Sequence, residues 1–287
     1  MKVLITAINS FVGKNIGSYL SSRGHSVYGT ARRSSLDEID IPGIKKIFPF
    51  NLNEAFDTSM LDSVDILIHL AHDFVNGSIN QNVEGTIKLG RAGQRKGALR
   101  QLFISSYSAC PDAVTEYGQT KYILEKFFGT IGGICIRPGV VIGQGGIFSK
   151  MTKVLNLFPI VPVIDGNKGR VPIIGADQLR RAIERLMTIQ HPQPVYNLFN
   201  EELVTMKKLI QAIVKSLNRR RCLISLSSKT VIRPLELLDK IGIRLPIDIN
   251  NVMAFVHNQT TDYPSNLKDL LDGEQPCLAE ILQKAIA

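Results

Sequence analysis

The stretch "KVLITAINSFVGKNIGSYLSSRG", residues 2–24, holds a strand, a turn and a helix in succession. "KVLITAI" (2–8) is a short, nearly continuous apolar run, the pattern of a buried strand. "GKNIGSYLSSRG" (13–24) has helical spacing and stops at Gly24, a residue suited to ending a helix. Between them lies "TAINSFVG". A strand that feeds a helix through such a turn points backbone N–H groups and the positive end of the helix dipole at an anion. Turns that hold a dinucleotide usually carry three glycines: for a tight bend, for close approach of the pyrophosphate and for close helix packing. Here Gly13 keeps the last place, and Ala7 and Ser10 hold the other two. Both are small, and a serine hydroxyl can donate to a phosphate. The turn reads as a modified dinucleotide site, or as the same fold with binding weakened or lost.

Outward from this unit the alternation continues. Strands are predicted over 25–32, 44–52, 64–71, 99–106 and 132–143, with helices at 79–97 and around residue 117. Apolar strands separated by helices indicate a parallel sheet covered on both faces, a doubly wound α/β Rossmann sheet. After about residue 145 the rhythm changes. Helices are predicted over 147–158, 177–189, 206–218 and 276–286, a short strand over 194–199, and Pro-containing turns divide the remainder. The expected division is a dinucleotide-binding domain over 1–145, with segments such as 177–199 returning to it, and a smaller lobe formed mainly by 146–287.

The second strand ends "GTARRSS". An acid at this place holds a ribose 2′-hydroxyl, whereas arginine accommodates a 2′-phosphate. The chain has Ala31 followed by Arg32 and Arg33, which favours NADP(H), with NAD(H) as the alternative. Further on, "EYGQTKYILEKF" (116–127) sets Tyr117 four residues before Lys121, on one helix face. A neighbouring cation favours phenolate, so the pair predicts a lowered Tyr117 pKa and acid–base chemistry.

Composition limits the alternatives. The 287 residues are 44% hydrophobic and 21% charged, with a net charge of +9. The positive charge is dispersed, its densest run being "NRRRC" (218–222), read as a solvated helix end. No recognition motif or aromatic–basic stripe points to nucleic acid. No apolar run reaches the roughly 20 residues that cross a bilayer, so no membrane partner is expected. "MKVLITAINSFVG" is not read as a secretory signal. Cys110, Cys135, Cys222 and Cys277 lack metal or C-x-x-C spacing, so free thiols, no metal site and a cytoplasmic location are the expectation.

Seven segments in order resemble the extended short-chain dehydrogenase/reductase family, and within it the NAD-dependent epimerase/dehydratase branch that handles nucleotide sugars. They are "TAINSFVG", "DILIHLAH" (65–72), "NVEGT" (82–86), "FISS" (103–106), "YGQTK" (117–121), "IRPGVVIG" (136–143) and "VYNLFNEELVT" (195–205). The likeness runs from residue 1 to about residue 270. It implies that Tyr117 is the general acid/base, that Lys121 tunes it and bonds the nicotinamide ribose, and that Ser106 bonds the substrate oxygen, with Ser105 and Ser108 as neighbouring alternatives. It places the cofactor against Ala7, Asn9, Ser10, Phe11, Val12, Gly13, Arg32 and Arg33, the strand ends Asn51, Leu52, Leu70, Ala71 and His72, and Lys121. Substrate contacts fall to Ser106, Tyr107, Tyr117 and Arg170, the last for a diphosphate. Asn82 reads either as a structural residue or as one that positions the site, and Arg137 as a non-catalytic residue bonding helix ends. A homodimer is implied by the family alone. Only ten residues separate Ser106 from Tyr117, where many relatives have a longer loop lining the sugar pocket.

The resulting expectation is an NADP(H)-dependent oxidoreductase reducing a keto group on a nucleotide sugar. An epimerase with bound NAD(P) ranks second because position 31 lacks an acid. A 4,6-dehydratase ranks lower, since Tyr107 and Ser108 stand where those relatives have an acidic pair. A non-catalytic binding or regulatory module, suggested by the altered turn, is the alternative from another class.

Overall fold

The computed structural model describes residues 1–74, 77–164, 170–202, 204–227 and 263–286. Seven strands form one parallel sheet: β1 (Lys2–Ile5), β2 (Ser26–Ala31), β3 (Ile44–Pro49), β4 (Ile66–His69), β5 (Arg100–Ile104), β6 (Ile134–Pro138) and β10 (Val195–Leu198). Their spatial order is β10-β6-β5-β4-β1-β2-β3. This is the doubly wound Rossmann sheet that the sequence predicts. The order reverses between β1 and β4, which leaves a crevice at the carboxyl ends of those strands.

The faces are covered by helix pairs. α1 (Phe11–Ser22) and α5 (Ala176–Thr188) pack on one face, and α2 (Ile79–Arg95) and α3 (Glu116–Thr130) on the other. Alternation along β1 shows why both are needed. Val3 and Ile5 join Ile16, Leu20 and Ile183, while Leu4 points the other way to Leu67 and Leu89. All three β1 side chains are fully buried, each contributing about 1.5–3 kcal/mol of transfer free energy. α1 ends where Gly24 turns left-handed at φ 85° and His25 N–H bonds back to the Leu20 carbonyl.

The predicted sixth strand, 132–143, is two strands. After Pro138 the chain leaves the main sheet, and β7 (Val140–Ile142) pairs instead with β9 (Ile173–Gly175). Gly139 marks the break, because a Cβ there would sit 2.5 Å from the Pro172 carbonyl oxygen. β7 leads to α4 (Gly146–Leu157) and β8 (Ile160–Ile164), which pairs with β11 (Cys222–Leu226) beyond α6 (Met206–Ser216). Short α7 (Leu267–Leu270) joins the sheet core, and α8 (Leu278–Ile286) packs on α6. A second apolar core lies here, with Phe148, Leu155, Val163, Leu209 and Leu282 buried together. The family likeness and the Pro-containing turns expected across 228–262 fall outside the described residues. All four cysteines are free thiols.

Candidate active site

The first turn is shaped by main chain. Ala7 holds φ 50°, the left-handed region where glycine is at ease, so the backbone path of a glycine turn is kept at the expense of local strain. Ser10 caps α1, its Oγ accepting from Gly13 N–H at 3.0 Å. The Phe11 and Val12 N–H groups then begin the helix with no intrahelical carbonyl to take them. Gly13 has no room for a side chain: a Cβ would meet the Ala7 carbonyl oxygen at 2.5 Å and Ile8 Cα at 2.9 Å. Phe11 lies over the glycines at 143, 145 and 146, where α4 begins. Asn9 sits half-buried between Ile8 and the cap.

Thr6 spans the crevice. Its Oγ1 accepts from Leu70 N–H (2.8 Å) and Ala71 N–H (3.0 Å), which fixes the end of β4 beside the end of β1. On the far side of β1, Arg32 and Arg33 are exposed just past β2. Asn51 is held in its own turn by Glu54 and the Asn53 N–H, and the Leu52 side chain is buried in the core under α2. The backbone of the 51–52 turn is what this segment can present.

The second wall is made of side chains. Thr115 caps α3 by accepting from Gly118 N–H, which sets Tyr117 in the first helical turn. Tyr117, Lys121 and Glu125 follow at intervals of four along one face. Ser106, just past β5, lies beside the Tyr117 phenol, whose pKa it draws down, and accepts from Ser108 N–H. Lys121 is buried; its Nζ donates to the Ile104 carbonyl at 2.7 Å and lies 4.7 Å from the Phe103 ring centre and 5.5 Å from that of Tyr117. Beneath it, Glu125 takes two bonds from Arg137 (2.7 and 2.5 Å) and one from Ser105 Oγ (2.5 Å). Arg137 thus bonds a side chain of α3 rather than the helix ends expected of it. Its guanidinium also stacks 4.7 Å from the Tyr263 ring.

The electrostatics correct one expectation. Tyr117 is not lowered: burial pushes it up to about 12, against a smaller opposing effect of Ser106. Burial likewise pulls Lys121 down to about 7, with Glu125 holding it up. A lysine only partly charged at neutral pH exerts little pull on its neighbour, so desolvation decides both groups.

Two aromatic groups complete the wall: His72, expected from the sequence as a cofactor contact, and Phe74, which the sequence did not single out. The His72 ring meets Tyr117 edge to face at 5.0 Å, and Phe74, largely exposed, stacks on it at 5.4 Å. Burial, followed by the Lys121 charge, lowers His72 to about 3, so this ring is neutral at physiological pH. Tyr107 turns toward Phe199 and Tyr263. Asn82 accepts from Asp73 N–H and donates to the Asp73, Gly77 and Ser78 carbonyls. Arg170 is exposed beside the Val171–Val204 bridge, and no described contact joins it to the Tyr117 cluster. Among the described residues no group of His, Cys, Asp or Glu is arranged to hold a metal ion.

The crevice between the ends of β1 and β4 and the wall of Ser106, Tyr117 and Lys121 both lie at the carboxyl ends of the sheet strands. Residues 3–131 match the model of the NAD dependent epimerase/dehydratase family. No curated protein sequence matches the chain. Among solved structures, one called gox2253 superimposes with a TM-score of 0.75 at 17% identity, covering 99% of this chain and 96% of the other. A nucleoside-diphosphate-sugar epimerase from Staphylococcus aureus gives 0.74 at 12%, covering 99% and 100%. UDP-glucuronic acid 4-epimerase from Bacillus cereus, solved with NAD, gives 0.66 at 15%, covering 96% and 99%. At these identities the likeness establishes the fold that this chain shares with them. No helix among the described residues is long and apolar enough to cross a membrane.

Proposed function

We propose that the protein is an NADP(H)-dependent oxidoreductase that reduces a keto group on a nucleotide-linked sugar. The observation that carries this reading is Tyr117 set beside Ser106 and above a buried, anchored Lys121, at the carboxyl edge of a doubly wound sheet. The residues present fit a dinucleotide. The Ala7 backbone keeps the glycine path, Gly13 leaves a cradle that a Cβ would fill, and two N–H groups at the start of α1 are free to meet a pyrophosphate. Arg32 and Arg33 stand exposed where a 2′-phosphate would lie, and no acid at position 31 opposes it.

The bound dinucleotide supplies the hydride. Lys121 holds the nicotinamide ribose, and Ser106 orients the substrate oxygen. Tyr117 delivers the proton to that oxygen. Its raised pKa keeps the phenol protonated at neutral pH, which suits a donor in the reducing direction. The nucleotide-sugar class is drawn from the structural neighbours, one of them named a nucleoside-diphosphate-sugar epimerase and another solved with UDP-glucose and NAD. Those neighbours also support a second reading, epimerisation on one retained cofactor.

Titration with NADPH and with NADH, followed by nicotinamide fluorescence, tests the proposal. Tight binding selective for NADPH is expected. Turnover of keto-sugar nucleotides should fall about 10²–10⁴-fold in Tyr117→Phe, with cofactor binding retained. A folded protein that saturates with neither cofactor would instead be a non-catalytic module. Selective NADH binding would remove the role given to Arg32 and Arg33.

A further inference from the structure

Four of the large exposed apolar side chains fall in one place, remote in sequence from the Tyr117 cluster. Leu157 is 74% exposed, Phe158 45%, Ile160 56% and Ile224 44%. They are brought together by the β8–β11 pairing, in which Ile160 lies opposite Cys222 and Pro162 opposite Ile224. Arg221 locks the arrangement. Its guanidinium donates to the Leu155 and Asn156 carbonyls (2.5 and 3.1 Å), so the end of α4 is tied to the start of β11. The run "NRRRC" is therefore only partly a solvated helix end.

The helix leading into this patch has two apolar faces. Phe148 and Leu155 are buried in the second core. Ile147, Val154 and Leu157 run down another side at spacings of seven and three, and Ile147 is 43% exposed. An exposed apolar stripe on a helix already packed on its other side has no role in the fold.

Charge identifies what the patch faces. Residues 145–164 and 204–227 contain two and six basic residues and no acid. Lys150, Lys153, Lys215, Arg219 and Arg220 are exposed, and none forms an ion pair among the described residues. Asp165 follows the first of these segments in the sequence; of the acids just before the second, Glu201 pairs with Lys268 and Glu202 accepts from the Leu278 N–H. An apolar tip whose flanking segments carry exposed, unpaired lysine and arginine matches an interface in which acyl chains lie under anionic headgroups. A protein partner would be expected to meet such charges with carboxylates; a bilayer meets the tip and the charges together.

We propose that the α4–β8–β11 face docks on the surface of an anionic lipid bilayer, with Leu157, Phe158 and Ile160 entering the headgroup boundary. The lack of a spanning segment does not bear on this, since a surface dock needs none.

Co-sedimentation of the purified chain with phosphatidylglycerol/phosphatidylcholine vesicles, against phosphatidylcholine alone, tests it. Binding to the anionic vesicles only, weakened by salt, is expected. Arg219→Glu with Arg220→Glu should weaken it at least about tenfold, given about fivefold for each charge removed near the surface. Leu157→Ser with Phe158→Ser should weaken it without changing its salt dependence. All four positions are exposed, so thermal melting should show both variants folded. No binding to anionic vesicles would overturn the proposal. So would vesicle binding that neither pair alters, or self-association that the serine pair abolishes while vesicles are ignored, which would assign the face to a protein contact.

Discussion

The two turns that face the crevice are built in opposite ways. The β1–α1 turn is mostly main chain: a left-handed Ala7 and a glycine packed against carbonyls, with one side chain, the Ser10 cap. The β5–α3 junction is side chain throughout: Ser106 beside Tyr117, Lys121 to the Ile104 carbonyl, and Ser105 and Arg137 to Glu125. A main-chain site survives changes of residue as long as the path holds, which is how Ala7 and Ser10 stand where glycines are usual. A buried side-chain site depends on every member being paired.

The contrast predicts unequal responses to substitution. Glu125→Gln leaves the Arg137 charge buried without its counterion and should lower stability by about 3–5 kcal/mol in urea unfolding. A loss below about 1 kcal/mol would mean that the junction relaxes as readily as the turn.

Acid and base should separate the two sites next. Lys121 falls from 10.5 to about 7 on folding, so below pH 7 it is charged in both states and burdens the fold fully. Between pH 7 and 10.5 the unfolded chain binds the extra proton, and stability rises with pH by about 1.36 kcal/mol per unit. Lys121→Met should abolish that rise. His69 and His72 fall from 6.5 to about 4 and about 3, each mainly through burial. Stability should therefore decline as pH drops below 6.5. The β1–α1 turn holds no titratable side chain and should leave both limbs unchanged.

The smallest effects belong to the turn. Ser10→Ala removes the cap and should lower stability by about 1 kcal/mol. Ala7→Gly relieves about 1–2 kcal/mol of left-handed strain but frees the unfolded chain by about 0.4–1 kcal/mol, for a net gain near 0.5 kcal/mol. Differential scanning calorimetry of the two variants would show the opposite signs.

The sheet was legible because its signal is periodic: runs such as "VDILIHLA" and "LRQLFISS" are long enough to be read alone. The split of 132–143 was not, because only the Pro172 carbonyl, thirty-three residues on from Gly139, makes that glycine a corner. The Tyr117–Lys121 spacing was legible, but the direction of the Tyr117 pKa was not, since desolvation depends on what covers a residue. His72 and Phe74 meet Tyr117 across a loop, so no spacing rule announces them. Glu125 did leave a trace: an acid four residues past Lys121, on the helix face that Leu124 and Phe128 mark as buried.

Phe11 has a consequence for how this chain can change over time. Its ring occupies the space that side chains at 143, 145 and 146 would need, so the start of α1 and the start of α4 are fitted to one another. A side chain at Gly145 is tolerable only beside a smaller residue at position 11. The two positions should therefore drift as a pair, and a residue of the first turn constrains the sequence of the lobe that follows it.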